Sequence, residues 1–182
     1  AAYVAAVPIL VALTDRVPAR RVYMVGAGLT ALSHLGFALI ADGFWSGMIL
    51  RAIAGIGWAG AYMPGLKAIA DRLEGNAQSR AVSLHAAGVG LAGAGSFAVS
   101  GLIDAIAGPV GAFLFGGLAA CGALVIAVLV IPATGPFHTR PANPRALLDF
   151  RPVFRNRRAM AWIAGYTVHT WELAALRAWG VT

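Results

Sequence analysis

The sequence predicts an all-α protein, a polytopic bundle of transmembrane helices. Its mean hydropathy is +0.76. Only 12% of its 182 residues are charged, whereas about a quarter are charged in an ordinary soluble domain. Most of the Lys and Arg residues lie in every second gap between the apolar runs, which is the pattern of a chain that keeps its cations on the cytoplasmic side of a bilayer. A soluble all-helical protein fits this composition poorly.

The cations lie in three segments, which we expect to face the cytoplasm. These segments contain twelve of the fourteen Lys and Arg residues: Arg16, Arg20 and Arg21; Lys67, Arg72 and Arg80; and Arg140, Arg145, Arg151, Arg155, Arg157 and Arg158. The gaps between spans on the other predicted side contain only Asp42 and Asp104 as charged residues. The net charge of +7 therefore follows from topology, and we expect no nucleic-acid partner, because the basic segments lack an aromatic platform for base stacking. The predicted location is a bacterial-type cytoplasmic membrane.

The apolar runs are long enough to cross a membrane, because roughly 20 helical residues span the hydrocarbon core. Residues 1–13 are too short for a full span and are interpreted as the tail of one. Gly108 and Pro109 are expected to turn the chain, and Pro132 to end a helix. Five complete spans are predicted: 22–41, 43–66, 81–103, 109–131 and 159–182. From its two ends we expect the chain to be an interior fragment of a longer protein.

Three glycine-rich segments, residues 26–31, 55–60 and 88–93, imitate the fingerprint of dinucleotide-binding proteins. Such a loop needs a strand before it and a helix after it, but each segment lies within an apolar run. We therefore interpret these glycines as helix-packing residues, because small side chains let transmembrane helices approach closely. Two repeats of four residues support this interpretation: Gly57, Ala61 and Gly65, and Ala86, Gly90 and Ala94.

Two segments resemble the major facilitator superfamily of transporters. Residues 11–21, Val-Ala-Leu-Thr-Asp-Arg-Val-Pro-Ala-Arg-Arg, resemble the Gly-x-Leu-Ala-Asp-Arg-x-Gly-Arg-Arg loop between the second and third helices of that family. Residues 50–57, Leu-Arg-Ala-Ile-Ala-Gly-Ile-Gly, resemble its fourth-helix pattern, an Arg followed by glycines four and six positions later. The order of the loops agrees as well. The chain thus resembles helices two to seven of a twelve-helix transporter.

The resemblance implies how the chain is divided. Residues 1–133 would form part of the N-terminal transmembrane bundle, from the end of its second helix to its sixth. Residues 134–158 would be the basic cytoplasmic loop between bundles, and residues 159–182 the first helix of the C-terminal bundle. Within the loop, the favoured interpretation is a flexible hinge whose cations keep it in the cytoplasm, and the alternative is a short amphipathic turn of residues 145–151 on the inner membrane surface.

The resemblance also implies a function, which is secondary active transport of a small solute by alternating access. The expected partners are a small-molecule solute, the lipid bilayer and protons. In this family the loop that contains Asp15, Arg16 and Arg20 controls conformational change. The family's fourth-helix Arg, here Arg51, lies near the cavity and takes part in proton coupling or substrate contact; snorkelling to the outer surface is the alternative for it.

The last predicted span contains a row of candidate pathway residues. Its members are Trp162, Tyr166, His169 and Glu172. Their successive spacings place them along one helical face. Glu172 would lie roughly 18 Å from the inner end of its helix, near the midplane, where secondary transporters bind substrates and coupling ions. A carboxylate there could take up and release a proton and share it with His169; a structural ion pair is the alternative.

Other functional classes are less well supported. A membrane-embedded enzyme would need a cluster of catalytic or metal-binding residues, and only His169 with Glu172 approach one. A non-transporting receptor or scaffold would not need charges such as Arg51 inside the membrane. His34 and His85 are interpreted as hydrogen-bonded packing residues. With Cys121 as the single cysteine, we expect neither a disulfide framework nor a metal site. The expected transport function requires no cofactor and no enzyme activity.

Overall fold

The chain is described by a computed structural model over residues 1–133 and 149–179. Within these ranges it forms helices and no strand, so the predicted all-α class is confirmed. The helices are α1 (Ala2–Leu13), α2 (Ala19–Leu39), α3 (Phe44–Ala70), α4 (Gly75–Val130), α5 (Arg151–Arg155) and α6 (Arg157–Trp179). The first four belong to one compact unit, Ala1–Ala142, and the last two to a second, Asn143–Thr182.

The long helix α4 consists of two helices joined end to end. Gly108 has φ 69 and ψ −178, a positive φ that glycine adopts without the steric penalty of other residues, and Pro109 follows it. We call residues 75–107 α4a and residues 109–130 α4b. α4b ends just before Pro132, which cannot continue a helix. The predicted interruption at Gly108 and Pro109 and the predicted stop at Pro132 are both confirmed.

Two of the described helices, α2 and α4, are long and apolar enough to cross a membrane, judged by length and composition. α2 covers most of the predicted span 22–41, and α4 contains the predicted span 81–103 and all but the last residue of the span 109–131. α3 and α6 are also long, but their charged residues lower their mean hydropathy. The spans predicted at 43–66 and 159–182 therefore stay predictions.

α2 and α3 cross where their backbones approach each other closely. A Cβ atom on Gly26 would lie 2.5 Å from the backbone nitrogen of Ala61, and one on Gly57 would lie 2.8 Å from that of Thr30. A Cβ atom on Gly60 would lie 3.0 Å from the Cα of Gly26. This proximity lets the two backbones gain dispersion contacts that larger side chains would prevent. The packing interpretation of the first two glycine segments is confirmed.

Two further contacts fix the position of α3. Ser33 of α2 is 1% exposed, and its Oγ donates a hydrogen bond of 2.8 Å to the carbonyl of Leu50. This bond satisfies a polar side chain that would otherwise be stranded in an apolar environment. α1 packs on α3 as well, because a Cβ atom on Gly55 would lie 3.1 Å from the backbone nitrogen of Tyr3. α3 therefore lies between helices that set its height and rotation.

The third glycine segment does not pack as the sequence predicts. No atom of the described residues lies within 4 Å of a Cβ atom built on Gly88, Gly90 or Gly93. Ala86 and Ala94 are exposed. The contacts with α2 come from α4b instead, where a Cβ atom on Gly117 would lie 2.6 Å from the side chain of Leu35. The predicted packing through the repeat of Ala86, Gly90 and Ala94 is wrong for the described part of the chain.

The second unit consists of α5 and α6 among its described residues. α5 is short and begins with Arg151 and Pro152, a position where proline suits a helix start. Most of the alternative amphipathic turn, residues 145–151, lies outside the described residues. The division into residues 1–133, 134–158 and 159–182 stays a prediction for the same reason.

Candidate functional site

Arg51 makes its contacts with aromatic rings. Its guanidinium carbon lies 4.9 Å from the ring centroid of Phe37 on α2 and 5.6 Å from that of Phe113 on α4b. The two rings stack on each other with centroids 4.7 Å apart and an interplanar angle of 15°. A cation near the faces of such rings is attracted by their quadrupoles. Sequence reasoning could not name a partner for Arg51, and these two phenylalanines are its partners.

Arg51 lies on an open cleft between α3 and both parts of α4. The cleft has a volume of about 560 Å³, which lies within the range of about 300–1,000 Å³ typical of small-molecule sites. Ser96, Ser100 and Asp104 of α4a line it, together with Phe113 of α4b. The interruption at residue 108 makes this possible, because it lets both parts of α4 face the same space.

α4a contributes residues to this cleft that were not among the predicted pathway residues. Asp104 was expected in a gap between spans, but it lies inside α4, four residues before the interruption at Gly108. A helix can continue through a charged residue whose side chain faces a cleft, and the position of Asp104 in the gap between the spans 81–103 and 109–131 stays a prediction. A signal was present, since Ser96, Ser100 and Asp104 recur every four residues and therefore share one helical face.

On α6, the structure brings together the two titratable candidates. Nδ1 of His169 lies 3.8 Å from a carboxylate oxygen of Glu172, and the side chains are 60% and 68% exposed. Trp162 and Tyr166 are exposed on the same helix. This separation is an ion-pair distance and exceeds the roughly 2.6–3.2 Å needed for direct proton transfer, so a side-chain movement or a water would have to connect the two groups. α6 belongs to the second unit and is described by itself.

The loop between α1 and α2 contains the predicted conformational motif. Asp15 and Arg16 are exposed, and the Asp15 carboxylate makes no hydrogen bond or ion pair with any described residue. Arg20 reaches the far end of α4b, where its Nε donates to the carbonyl of Ile131 at 2.7 Å and its Nη2 to that of Val128 at 3.2 Å. A cation at this position satisfies carbonyls that the helix itself leaves unpaired.

A second arginine reaches the same helix end. Nη2 of Arg72, from the segment after α3, donates to the carbonyl of Pro132 at 2.9 Å. Arg20 and Arg72 come from the first and second basic segments, so the structure places those two segments at one end of the bundle. The positive-inside pattern requires this arrangement of any two segments that face the same side.

The two histidines among the described residues of the first unit, His34 and His85, pack against aromatic rings. Nδ1 of His34 lies 2.8 Å from the carbonyl oxygen of Thr30, and its ring centroid lies 6.2 Å from that of Phe113, so its predicted packing role is confirmed. The ring of His85 lies 5.7 Å from that of Tyr62. Its Nε2 is buried without a hydrogen-bond partner among the described residues. The predicted packing role of His85 agrees with its ring contact, but the predicted hydrogen bond is not found at Nε2.

Comparison with known families decides which family the chain belongs to. A family model described as Major Facilitator Superfamily matches residues 1–179. The chain belongs to the major facilitator superfamily. A search of curated proteins and a search of solved structures give no significant match.

Membership of this superfamily confirms the resemblance and the coarse function. Major facilitator proteins are integral membrane transporters that move small solutes across the membrane, and they are not enzymes. The match covers both basic loops of the first unit as well as α6. Arg51 and the residues on α6 are therefore parts of a transporter, although their individual roles are proposals.

The shared position of Arg20 and Arg72 leads to a prediction about orientation. In a background in which Cys121 is replaced, a cysteine at Asp42 should react with an impermeant thiol reagent added outside the cell. A cysteine at Asn76 should react only after the membrane is permeabilised, because it lies in a basic segment. Labelling in the opposite order would place the basic loops outside and contradict the expected topology.

Proposed function

We propose that the protein is a secondary active transporter that moves a small solute across the membrane by alternating access. The observation that supports this best is Arg51, a charge inside a long helix that contacts two aromatic rings and faces an open cleft. A charge at the bilayer centre costs roughly 3 kcal/mol or more unless it faces a cavity or a partner. If Arg51 lines the solute pathway, its charge faces a cavity, and this cost is reduced.

The residues on α6 would supply the proton coupling. We propose that Glu172 binds the coupling proton and that His169, 3.8 Å away, shares it. Trp162 and Tyr166 would supply aromatic surface for an organic solute, since such side chains are common in small-molecule sites. In this scheme, protonation alters the balance between inward-facing and outward-facing states.

The loop with Asp15, Arg16 and Arg20 would control that balance. Arg20, near the start of α2, donates two hydrogen bonds to backbone carbonyls at the end of α4b. A movement of this helix end relative to α2 must break them. We propose that this loop favours one of the two states, and that Asp15 acts on the same equilibrium through its charge.

Replacing Asp15 tests this role. Asp15→Asn should leave expression and membrane insertion near normal, because exposed substitutions usually change stability by only about 0.5 kcal/mol. Transport should fall, or the protein should become biased toward the inward-open state. Asp42→Asn, which removes an exposed carboxylate from the other predicted side, is the matched control. Equal transport by the two variants would reduce Asp15 to a marker of topology.

Vesicle uptake tests the function itself. Vesicles that contain the purified full-length protein should take up at least one solute from a panel of small organic compounds, and an imposed pH gradient should increase its accumulation. A protonophore should remove that increase. If uptake is the same with and without the pH gradient, the protein is still a transporter, but proton coupling is excluded. Absence of uptake for every solute, with folded protein in the vesicles, would contradict the transport proposal.

A further inference from the structure

The polar side chains of α4a form a single row. Ser96, Ser100 and Asp104 are spaced by four residues and all line the Arg51 cleft. Their neighbours on α4a are mainly Ala, Gly, Val and other apolar residues. The Ser96 hydroxyl already donates a hydrogen bond of 2.8 Å to the carbonyl of Gly93, but a carboxylate is costly to place in hydrocarbon, so Asp104 is expected to face water, a partner or a ligand. Their shared face therefore gives the cleft one polar wall.

Two opposite charges line this space without neutralising each other. Neither Arg51 nor Asp104 forms an ion pair with any residue in the described ranges. The Arg51 guanidinium lies over ring faces, and no described acceptor takes its N–H groups. Aromatic faces attract the cation while leaving those in-plane donors available. A guanidinium in this state can bind a carboxylate with two parallel hydrogen bonds.

The remaining walls of the cleft are apolar. Phe97 of α4a and Phe113 of α4b line it together with Pro109 and Ala112. A ligand that satisfies both charges must therefore have an anionic group, a cationic group and an apolar body. The volume of about 560 Å³ admits a molecule the size of an amino acid with space for water.

We infer that the Arg51 cleft binds a small zwitterion, with its carboxylate on Arg51, its ammonium group on Asp104 and its apolar part against Phe97 and Phe113. This inference rests on the transport function proposed above, because it names the class of solute that the pathway takes. The hydroxyl groups of Ser96 and Ser100 lie along the same wall and can accept hydrogen bonds from the ammonium group.

Binding measurements on the purified full-length protein test the inference apart from transport. The probes are a panel of neutral amino acids with leucine as the reference, leucine methyl ester, which lacks the carboxylate, and N-acetyl-leucine, which lacks the ammonium group. Leucine should raise the melting temperature and bind by calorimetry. Each analogue should bind about tenfold more weakly or worse, because it leaves one charged group of the site without its partner.

Variants assign each charge to one end of the ligand. Asp104→Asn should weaken leucine binding about tenfold and leave binding of N-acetyl-leucine unchanged. Arg51→Gln should weaken leucine binding and leave binding of the methyl ester unchanged. Asp42→Asn, which removes a carboxylate outside the cleft, should change none of the three. Thermal unfolding of each variant without ligand shows that it is folded.

Three outcomes would overturn the inference. The first is that no amino acid of the panel binds, and the second is that leucine and its two analogues bind equally well. The third is that each variant weakens the binding of all three probes by the same factor. If vesicles transport another class of solute in that case, the transport function stands and only the zwitterion is excluded. If leucine binds in the expected pattern but no vesicle takes up solute, the site stands and the transport function fails.

Discussion

Gly57→Leu should prevent the protein from folding in the membrane, whereas Gly122→Leu should be tolerated. A Cβ atom on Gly57 would lie 2.6 Å from Oγ1 of Thr30, 2.8 Å from its backbone nitrogen and 2.9 Å from the carbonyl oxygen of Gly26. No atom among the described residues lies within 4 Å of a Cβ atom on Gly122. Both glycines are helical, so the change in helix propensity is similar at the two positions.

The size of the effect follows from what the new side chain meets. Overpacking usually costs about 1–3 kcal/mol when neighbouring side chains can move aside. At Gly57 two of the three nearest atoms belong to the backbone of α2, so relief requires the helices to separate. A separation large enough for leucine would also break the hydrogen bond between Ser33 and Leu50. Such losses are comparable with the whole stability of a typical folded protein, which is about 5–15 kcal/mol.

The yield of monodisperse protein after detergent extraction, followed by size-exclusion chromatography, measures this prediction. Gly57→Leu should give little or none, and Gly57→Ala should give a reduced yield with a lower melting temperature. Gly122→Leu should behave like the unsubstituted protein. Equal yields for the leucine variants would show that α2 and α3 do not cross at Gly57.

Features that depend on local chemistry could be predicted from the sequence. Gly108 supplies a positive φ and Pro109 and Pro132 lack a backbone N–H, so the interruption of α4 and the end of α4b follow from these residues alone. The all-α class follows from hydropathy and charge, which are also local quantities. The family resemblance depended on short motifs around Asp15 and Arg51, and the match to the superfamily confirms it.

Features that depend on which face of a helix meets a neighbour could not be predicted. The four-residue spacing of Ala86, Gly90 and Ala94 shows that they share a face, but only the fold shows whether a helix packs there. Phe37 and Phe113 contact Arg51 because three helices bring them together, and no spacing in the sequence indicates it. The part that Asp104 has in a cleft could not be predicted either, because the cleft depends on how α3 and the two parts of α4 are arranged.

Glu172→Gln should abolish accumulation of solute against its gradient, provided that Glu172 binds the coupling proton. A gradient of one pH unit supplies about 1.4 kcal/mol per proton, enough for about tenfold accumulation. The amide of glutamine resembles a protonated carboxyl group in size and can donate a hydrogen bond, but it cannot release a proton. The variant should therefore bind solute and still equilibrate it, while its accumulation in response to the pH gradient disappears.

Solute exchange separates a coupling defect from a general loss of activity. Vesicles with Glu172→Gln should still exchange internal for external solute, because exchange needs no net movement of protons. His169→Ala should show a milder defect with a shifted pH optimum, since His169 lies 3.8 Å from Glu172 and would share the proton without binding it alone. Glu74→Gln, which changes an exposed carboxylate at the start of α4, is the matched control and should accumulate normally.

The outcome that contradicts this prediction would indicate a different coupling residue. If Glu172→Gln accumulates solute with the same dependence on pH, the carboxylate is a packing or pairing residue, despite its position beside His169. Coupling would then have to involve another titratable group near the pathway, and Asp104 is the carboxylate that shares a cleft with Arg51. In that case, accumulation by the Asp104→Asn variant in the same vesicles would no longer respond to the pH gradient. If Glu172 is the coupling residue, the Asp104→Asn variant would bind solute more weakly, but its accumulation would still respond to the gradient.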